Sequence, residues 1–136
     1  MIDLGEVEKK MVEAMSEKVF ADSSEQQARK SAELIVTFAS AMYGCSLPQT
    51  EYFLNILILE VSEFLRGYYS EYTENEVFLA LRVNYVFSDM KTIGLDQQVV
   101  FTGNTFNLAF LAKIVSNYAQ LKYNLIRRFQ NAIEGY

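Results

Sequence analysis

The 136-residue sequence contains no histidine, one cysteine and one proline. Without histidine it can build no Ser-His-Asp or Cys-His nucleophile and no Glu-x-x-His metal helix. The lone Cys45 cannot close an internal disulfide, and no Cys/His cluster exists to hold zinc. Following Gly44 at a helix end, it reads as a small buried structural residue. Long apolar runs are missing too. The densest, Tyr52 to Val61, is broken by Asn55 and Glu60 and falls short of the ~20 residues that span a bilayer. The start, Met1-Ile2-Asp3-Leu4-Gly5-Glu6, lacks the basic and apolar regions of a signal peptide. These absences predict a cytoplasmic chain with no membrane contact, no metal, no cofactor and no catalytic residue.

What remains is rich in apolar residues, 51% of the chain, with a net charge of −5. Disorder needs the opposite balance, and the length suits one domain over residues 1–136 with a core of its own. The charge is a gradient. Residues 1–50 carry 8 acids and 5 bases, residues 51–104 carry 8 and 3, and residues 105–136 carry 1 and 4. An acidic body opposes duplex DNA, whose phosphates need a clustered basic face. The late cations also suit a helix C-terminus.

Helix starts are marked by capping boxes, in which an N-cap oxygen and a side chain three residues on satisfy free backbone N–H groups. Asp3/Glu6, Ser23/Gln26, Ser46/Gln49 and Thr73/Glu76 fit, and Pro48 suits a first turn. The predicted helices run over 4–20, 24–43, 49–66, 74–87 and 107–133. The first has the stripe Leu4, Val7, Met11, Ala14/Met15 and Val19. The second has Ala28, Ala32, Ile35, Phe38, Ala39 and Met42, and ends at Gly44. The last has Leu111, Val115, Tyr118, Leu125, Phe129 and Ile133, with Asn117, Gln120, Asn124, Arg127 and Asn131 outside. Residues 88–106 lack a helical period and read as a loop or small β-hairpin. The predicted fold is all-α, a compact bundle of five helices, with an N-terminal pair over 1–45 and the rest over 46–136.

The third predicted helix is apolar on nearly every side. Phe53, Leu54, Leu57, Val61, Phe64 and Leu65 form one face, Glu51, Asn55, Ser62 and Arg66 a narrow polar strip. Tyr52, Ile56 and Leu59 form a second apolar stripe beside Glu60 and Glu63. Two readings stay open. Either this is the central helix, covered by the first and fifth, or the second stripe docks a partner or a second copy. Tyr68, Tyr69 and Tyr72 cluster at the following corner and extend the candidate surface.

Only carboxylates remain as catalysts. Glu60 and Glu63 lie one helical turn apart, with Glu71, Glu74 and Glu76 after a break. This spacing is similar to the Glu-x-x-Glu helix of all-α nucleotide pyrophosphatases, which are Mg²⁺-dependent. That family's second Glu-x-x-Asp motif is replaced here by Glu71-Tyr72-Thr73-Glu74, which straddles a cap. Lys122 falls within the last helix's apolar stripe, where it either snorkels outward or pairs with an acid of the first or third helix.

Glu51-Tyr52-Phe53-Leu54 through Tyr68, Tyr72-Thr73-Glu74-Asn75-Glu76-Val77 with Ala80-Leu81-Arg82, and Phe106-Asn107-Leu108-Ala109-Phe110-Leu111 through Ile114-Val115-Ser116-Asn117-Tyr118 form a further pattern. Over residues 50–128 it resembles small helical accessory proteins of phages and mobile elements from Bacteroidetes-type bacteria. Those carry a Leu-Thr-x-x-Glu-Ile helix start and an Ala-Phe core pair, where this chain has Ala80-Leu81. The resemblance implies a non-enzymatic protein that binds a nucleic-acid-handling machine, blocking a host defence nuclease such as a CRISPR effector or recruiting replication factors. The expected partner is a larger protein or ribonucleoprotein. Mg²⁺-dependent pyrophosphatase activity and a homodimer through the third helix are the alternatives.

Overall fold

The computed structural model describes residues 5–86 and 105–134, and over these the chain is all-α. Its helices are α1 (Glu6–Met15), α2 (Glu25–Tyr43), α3 (Glu51–Tyr68), α4 (Glu74–Val86) and α5 (Leu108–Glu134), with a 3-10 turn at Phe20–Asp22 between α1 and α2. Buried side chains from all five helices join one core, including Met11, Ile35, Leu65, Leu81, Leu111 and Leu125. Asp3, Leu4 and the hairpin expected over 88–106, apart from Thr105 and Phe106, lie outside the described residues.

The caps show where local pattern decides and where it does not. Thr73 and Glu76 form the predicted box: Thr73 Oγ1 accepts from the Glu76 N–H, and Glu76 Oε1 accepts from the Thr73 N–H, both at 3.1 Å. The α2 box is displaced by one residue. Ser24 caps, with Gln27 answering at 3.0 and 3.1 Å, while Ser23 Oγ donates back to the Val19 carbonyl. The Ser46/Gln49 box does not form. α3 starts at Glu51 behind Thr50, because Ser46 is engaged in a β-bridge with Thr105 and accepts the Phe106 N–H at 3.0 Å. Pro48 therefore precedes the helix rather than entering its first turn. α2 does end at Gly44, with φ 66°, a left-handed conformation that glycine adopts without strain.

α1 is shorter than its predicted 4–20. Ser16 ends it, its hydroxyl donating to the Glu13 carbonyl at 2.6 Å in place of a further helical bond. The freed segment turns inward. Val19 forms a β-bridge with Thr73, Phe20 enters the core, and the Phe20 and Ala21 N–H groups donate to the Tyr72 and Ser70 carbonyls at 2.9 and 2.8 Å.

The central helix is α4, not α3. It packs on α1, α2 and α5, and buries Glu76, Val77, Leu79, Ala80, Leu81, Val83 and Asn84. All-round apolarity therefore does not decide burial here: α3 leaves one apolar side exposed, while the buried α4 includes Glu76 and Asn84. α3 packs chiefly on α2 and buries Val61, Ser62 and Leu65, so Ser62 is core although its strip is polar, while Phe53 is exposed. In α5 the stripe holds as far as Leu125. Phe129 and Ile133 are exposed, and Asn117 is buried instead, with no hydrogen-bond partner for either amide atom among the described residues.

Candidate functional site

α3 turns three large apolar side chains to solvent at its N-terminal half: Tyr52 is 70% exposed, Phe53 59% and Ile56 36%. One turn further along the same side lie Glu60 and Glu63, both exposed. The rings of Tyr52 and Phe53 meet edge-on, with centroids 5.4 Å apart, so the pair presents a joint aromatic knob. Leu59 is half-buried and, with Tyr52 and Ile56, lines a cavity of about 730 Å³ whose other wall is Arg29, Lys30 and Glu33 of α2. The five α3 candidates therefore share one accessible region.

The three corner tyrosines divide. Tyr68 is 80% exposed and its ring leans on Phe64. Tyr69 and Tyr72 are half-buried and stack edge-on with each other at 5.0 Å. Burial raises the Tyr69 phenol above its ordinary pKa. Tyr72 also carries the Lys122 ammonium 3.8 Å from its ring centroid, so its face is already occupied within the fold.

Lys122 belongs to a buried polar cluster that centres on α4. Its partner is Glu76, 3.0 Å away, rather than an acid of α1 or α3. Glu76 is fully buried. Its Oε1 accepts from the Thr73 N–H at 3.1 Å and from Lys122 at 3.2 Å, and its Oε2 accepts from the Tyr118 hydroxyl at 2.8 Å. Thr73 Oγ1 in turn donates to the Ala14 carbonyl at 2.7 Å. Desolvation of such a carboxylate is costly unless its acceptor sites are filled. Here they are. One residue thus closes the α4 cap and ties α4 to α5.

The same cluster sets an alkaline limit. Tyr72 is pushed up to about 12, first by burial and then by the charges of Glu76 and Tyr69. Tyr118 is raised by burial, then by the charge of Glu76 and the hydrogen bond to it. Folded phenols that titrate above the unfolded value of about 10 contribute stability that is complete below that pH. It is lost as pH rises toward 12 and beyond. Ultraviolet titration should show these two phenolates appearing only as the helical signal falls, and Tyr118→Phe should raise the pH of that loss. Complete phenolate formation near pH 10 with the helices intact would contradict this.

The carboxylates do not converge. Glu60 and Glu63 face solvent, Glu76 is enclosed with Lys122, and Glu74 accepts from Ser31 Oγ at 2.9 Å. Among the described residues no three Asp, Glu, His or Cys side chains are grouped to hold a metal ion. Cys45 is buried, and burial raises its thiol pKa. No helix among the described residues is long and apolar enough to cross a membrane.

A larger cavity, about 1140 Å³, runs between α1, α4 and α5 over Met11, Leu79, Val83 and Leu121. At its rim Glu8 pairs with Arg128. Burial acts to raise the Glu8 pKa, but the Gly5 N–H and the Arg128 guanidinium outweigh it and hold the carboxyl below its usual value.

Two features escaped the sequence pattern. Phe53, expected on the core face, is exposed; around the helix position 53 lies about 60° from Ile56. The C-terminal end of α5 also carries an uncovered apolar stripe, Ile126, Phe129 and Ile133. Its signal was length: α5 has 27 residues against 19 in α2, the next longest helix, so its last turns outrun their neighbours. No protein-family model, curated protein or solved structure matches the chain.

Proposed function

We propose that this chain is a small, non-enzymatic, protein-binding helical module of the phage or mobile-element accessory type, acting in the cytoplasm of the host cell. It docks through the α3 face onto a larger nucleic-acid-handling protein or ribonucleoprotein. The observation that carries this reading is the exposure of Tyr52, Phe53 and Ile56 on the side of α3 that also presents Glu60 and Glu63. The few residues that carry most of the energy at protein interfaces are enriched in tyrosine, and acidic neighbours steer such a face toward basic surfaces. A groove that holds nucleic acid is basic. Occupying it suits an inhibitor of a defence nuclease, and binding at its rim suits a recruiter of replication factors.

The test compares the wild type with Tyr52→Asp/Ile56→Asp in binding to purified nuclease and replication complexes. Both positions are solvent-exposed, so helicity and melting temperature should be unchanged while partner affinity falls about tenfold or more. Added DNA should displace the wild type from a partner's groove. Equal binding by wild type and variant would exclude this face, and collapse of the variant's fold would return these side chains to the core.

A further inference from the structure

α1 buries fewer side chains than any other helix, Met11 and Ala14, with Val7 and Met15 half-buried beside them. The cavity of about 1140 Å³ runs along it, against α4 and α5. Packing is loose there. Ala14, Leu79, Val83 and Leu121 line the cavity and keep 7%, 7%, 5% and 8% of their surface exposed. Elsewhere in the described core only Phe110 keeps as much, and Ile35, Leu65 and Leu111 keep none. A close-packed interior has few voids larger than a water molecule. An apolar cleft this open gives its covering helix a weak hold.

A polar link fastens each end of α1. Near its start Glu8 pairs with Arg128 of α5, both of them partly exposed, an arrangement worth little in water. Near its end the Ala14 carbonyl accepts from Thr73 Oγ1. That bond is replaceable, because water can take the place of the carbonyl while Thr73 Oγ1 goes on accepting the Glu76 N–H. The cap of α4 therefore outlasts the departure of α1. Beyond α1 the chain passes through exposed Ser16, Glu17 and Lys18, where the Ser16 and Glu17 N–H groups donate back to carbonyls of α1. Firm attachment starts past them. Lys18 reaches Gln27, Phe20 enters the core, and the Phe20 and Ala21 N–H groups bond to the Tyr72 and Ser70 carbonyls.

We propose that α1 is a releasable strap. It swings off α4 and α5 as one unit about residues 16–18, with Phe20 as the fixed point, while α2 to α5 stay folded. Opening uncovers an apolar floor of Leu79, Val83 and Leu121 with Arg128 at its rim. The strap is that cleft's own occupant. Glu8, Met11 and Ala14 recur at three-residue steps, so the acid meets Arg128 while the apolar pair faces the floor. This device is independent of the α3 face and needs no partner to operate.

Native-state hydrogen exchange of the whole wild-type chain, in urea below its unfolding transition, tests the strap. The amides of residues 9–15 should exchange together, about tenfold or more faster than those of mid-α4. Their urea dependence should be weaker, because opening α1 exposes less surface than complete unfolding. Glu8→Gln keeps an acceptor for the Gly5 N–H but loses the charge facing Arg128, and should speed the α1 amides about two- to fivefold. The thiol introduced by Val83→Cys reports on the floor. It should react with a thiol reagent about tenfold or more faster than Cys45, which is buried away from the cleft and serves as the standard within the same molecule. α1 amides that share the protection and urea dependence of α4 would mean that α1 leaves only on complete unfolding. Protection that declines residue by residue toward Gly5, with no urea dependence, would mean end fraying. Either result overturns the strap. So does a thiol at position 83 that reacts no faster than Cys45 while the α1 amides open, since α1 would then melt in place without uncovering the floor.

Discussion

Glu76→Ala should cost about 3–5 kcal/mol of folding stability, a large share of the roughly 5–15 kcal/mol that holds an ordinary domain together. The substitution leaves three buried or half-buried donors without their acceptor: the Thr73 N–H, the Tyr118 hydroxyl and the Lys122 ammonium. Lys122 is the costly one, since its side chain is only 12% exposed. Glu76→Gln should rescue little. Its amide oxygen can accept one of these bonds, but its NH₂ group then faces another donor. Lys122→Met alone should also destabilise, by leaving the carboxylate enclosed without its cation. The double variant Glu76→Leu/Lys122→Met should recover part of the loss, because an apolar pair can replace a buried ion pair, while Thr73 and Tyr118 stay unsatisfied. Urea denaturation of the wild type, Glu76→Leu, Lys122→Met and the double variant closes the cycle. Additive losses would show that Glu76 and Lys122 act independently and that the cap alone carries the effect.

How much of this arrangement was legible in the sequence depends on which atoms decide it. The Thr73/Glu76 box is local, and the pattern located it to the residue. The sequence Ser23-Ser24-Glu25-Gln26-Gln27 permits two registers of the same box, so local chemistry leaves a one-residue ambiguity. The structure resolves it in favour of Ser24. Ser46 is different in kind. Its role is set by Thr105, 59 residues away, which no local pattern contains. Glu76 shows both aspects, for its cap was visible while its bonds to Tyr118 and Lys122 were not. Those require knowing that α5 lies against α4.

The α3 face illustrates a related limit. Periodicity identified two apolar stripes and could not say which would be covered. That depends on which helix occupies the centre, and α4 takes that place because Val77, Leu79, Ala80, Leu81 and Val83 can face α1, α2 and α5 at once. With α4 inside, α3 needs only one buried face, and Tyr52, Phe53 and Ile56 are left outside. Tyr69 and Tyr72, sequence neighbours of the exposed Tyr68, are drawn instead into the α3–α4 corner, where Tyr72 meets Lys122 and Tyr118.

Phe20→Ala should lower stability by about 3–5 kcal/mol, although Phe20 lies in a connection between helices rather than within one. Its ring is 2% exposed and forms the anchor of a segment that sequence periodicity had continued as α1. Around it the chain makes two backbone hydrogen bonds to the α3–α4 corner: the Phe20 N–H to the Tyr72 carbonyl, which belongs to the Val19–Thr73 bridge, and the Ala21 N–H to the Ser70 carbonyl. These are backbone bonds, so alanine can still form them. What alanine removes is the apolar burial that offsets the entropy of ordering this turn. The loss should therefore spread to its neighbours, with faster hydrogen exchange at the Phe20, Ala21 and Thr73 amides than at those of mid-α2. Phe20→Leu keeps most of the volume and should cost under about 1.5 kcal/mol. The comparison separates the ring's packing from the backbone bonds. An alanine variant within about 0.5 kcal/mol of the wild type would mean that the backbone hydrogen bonds alone hold the turn.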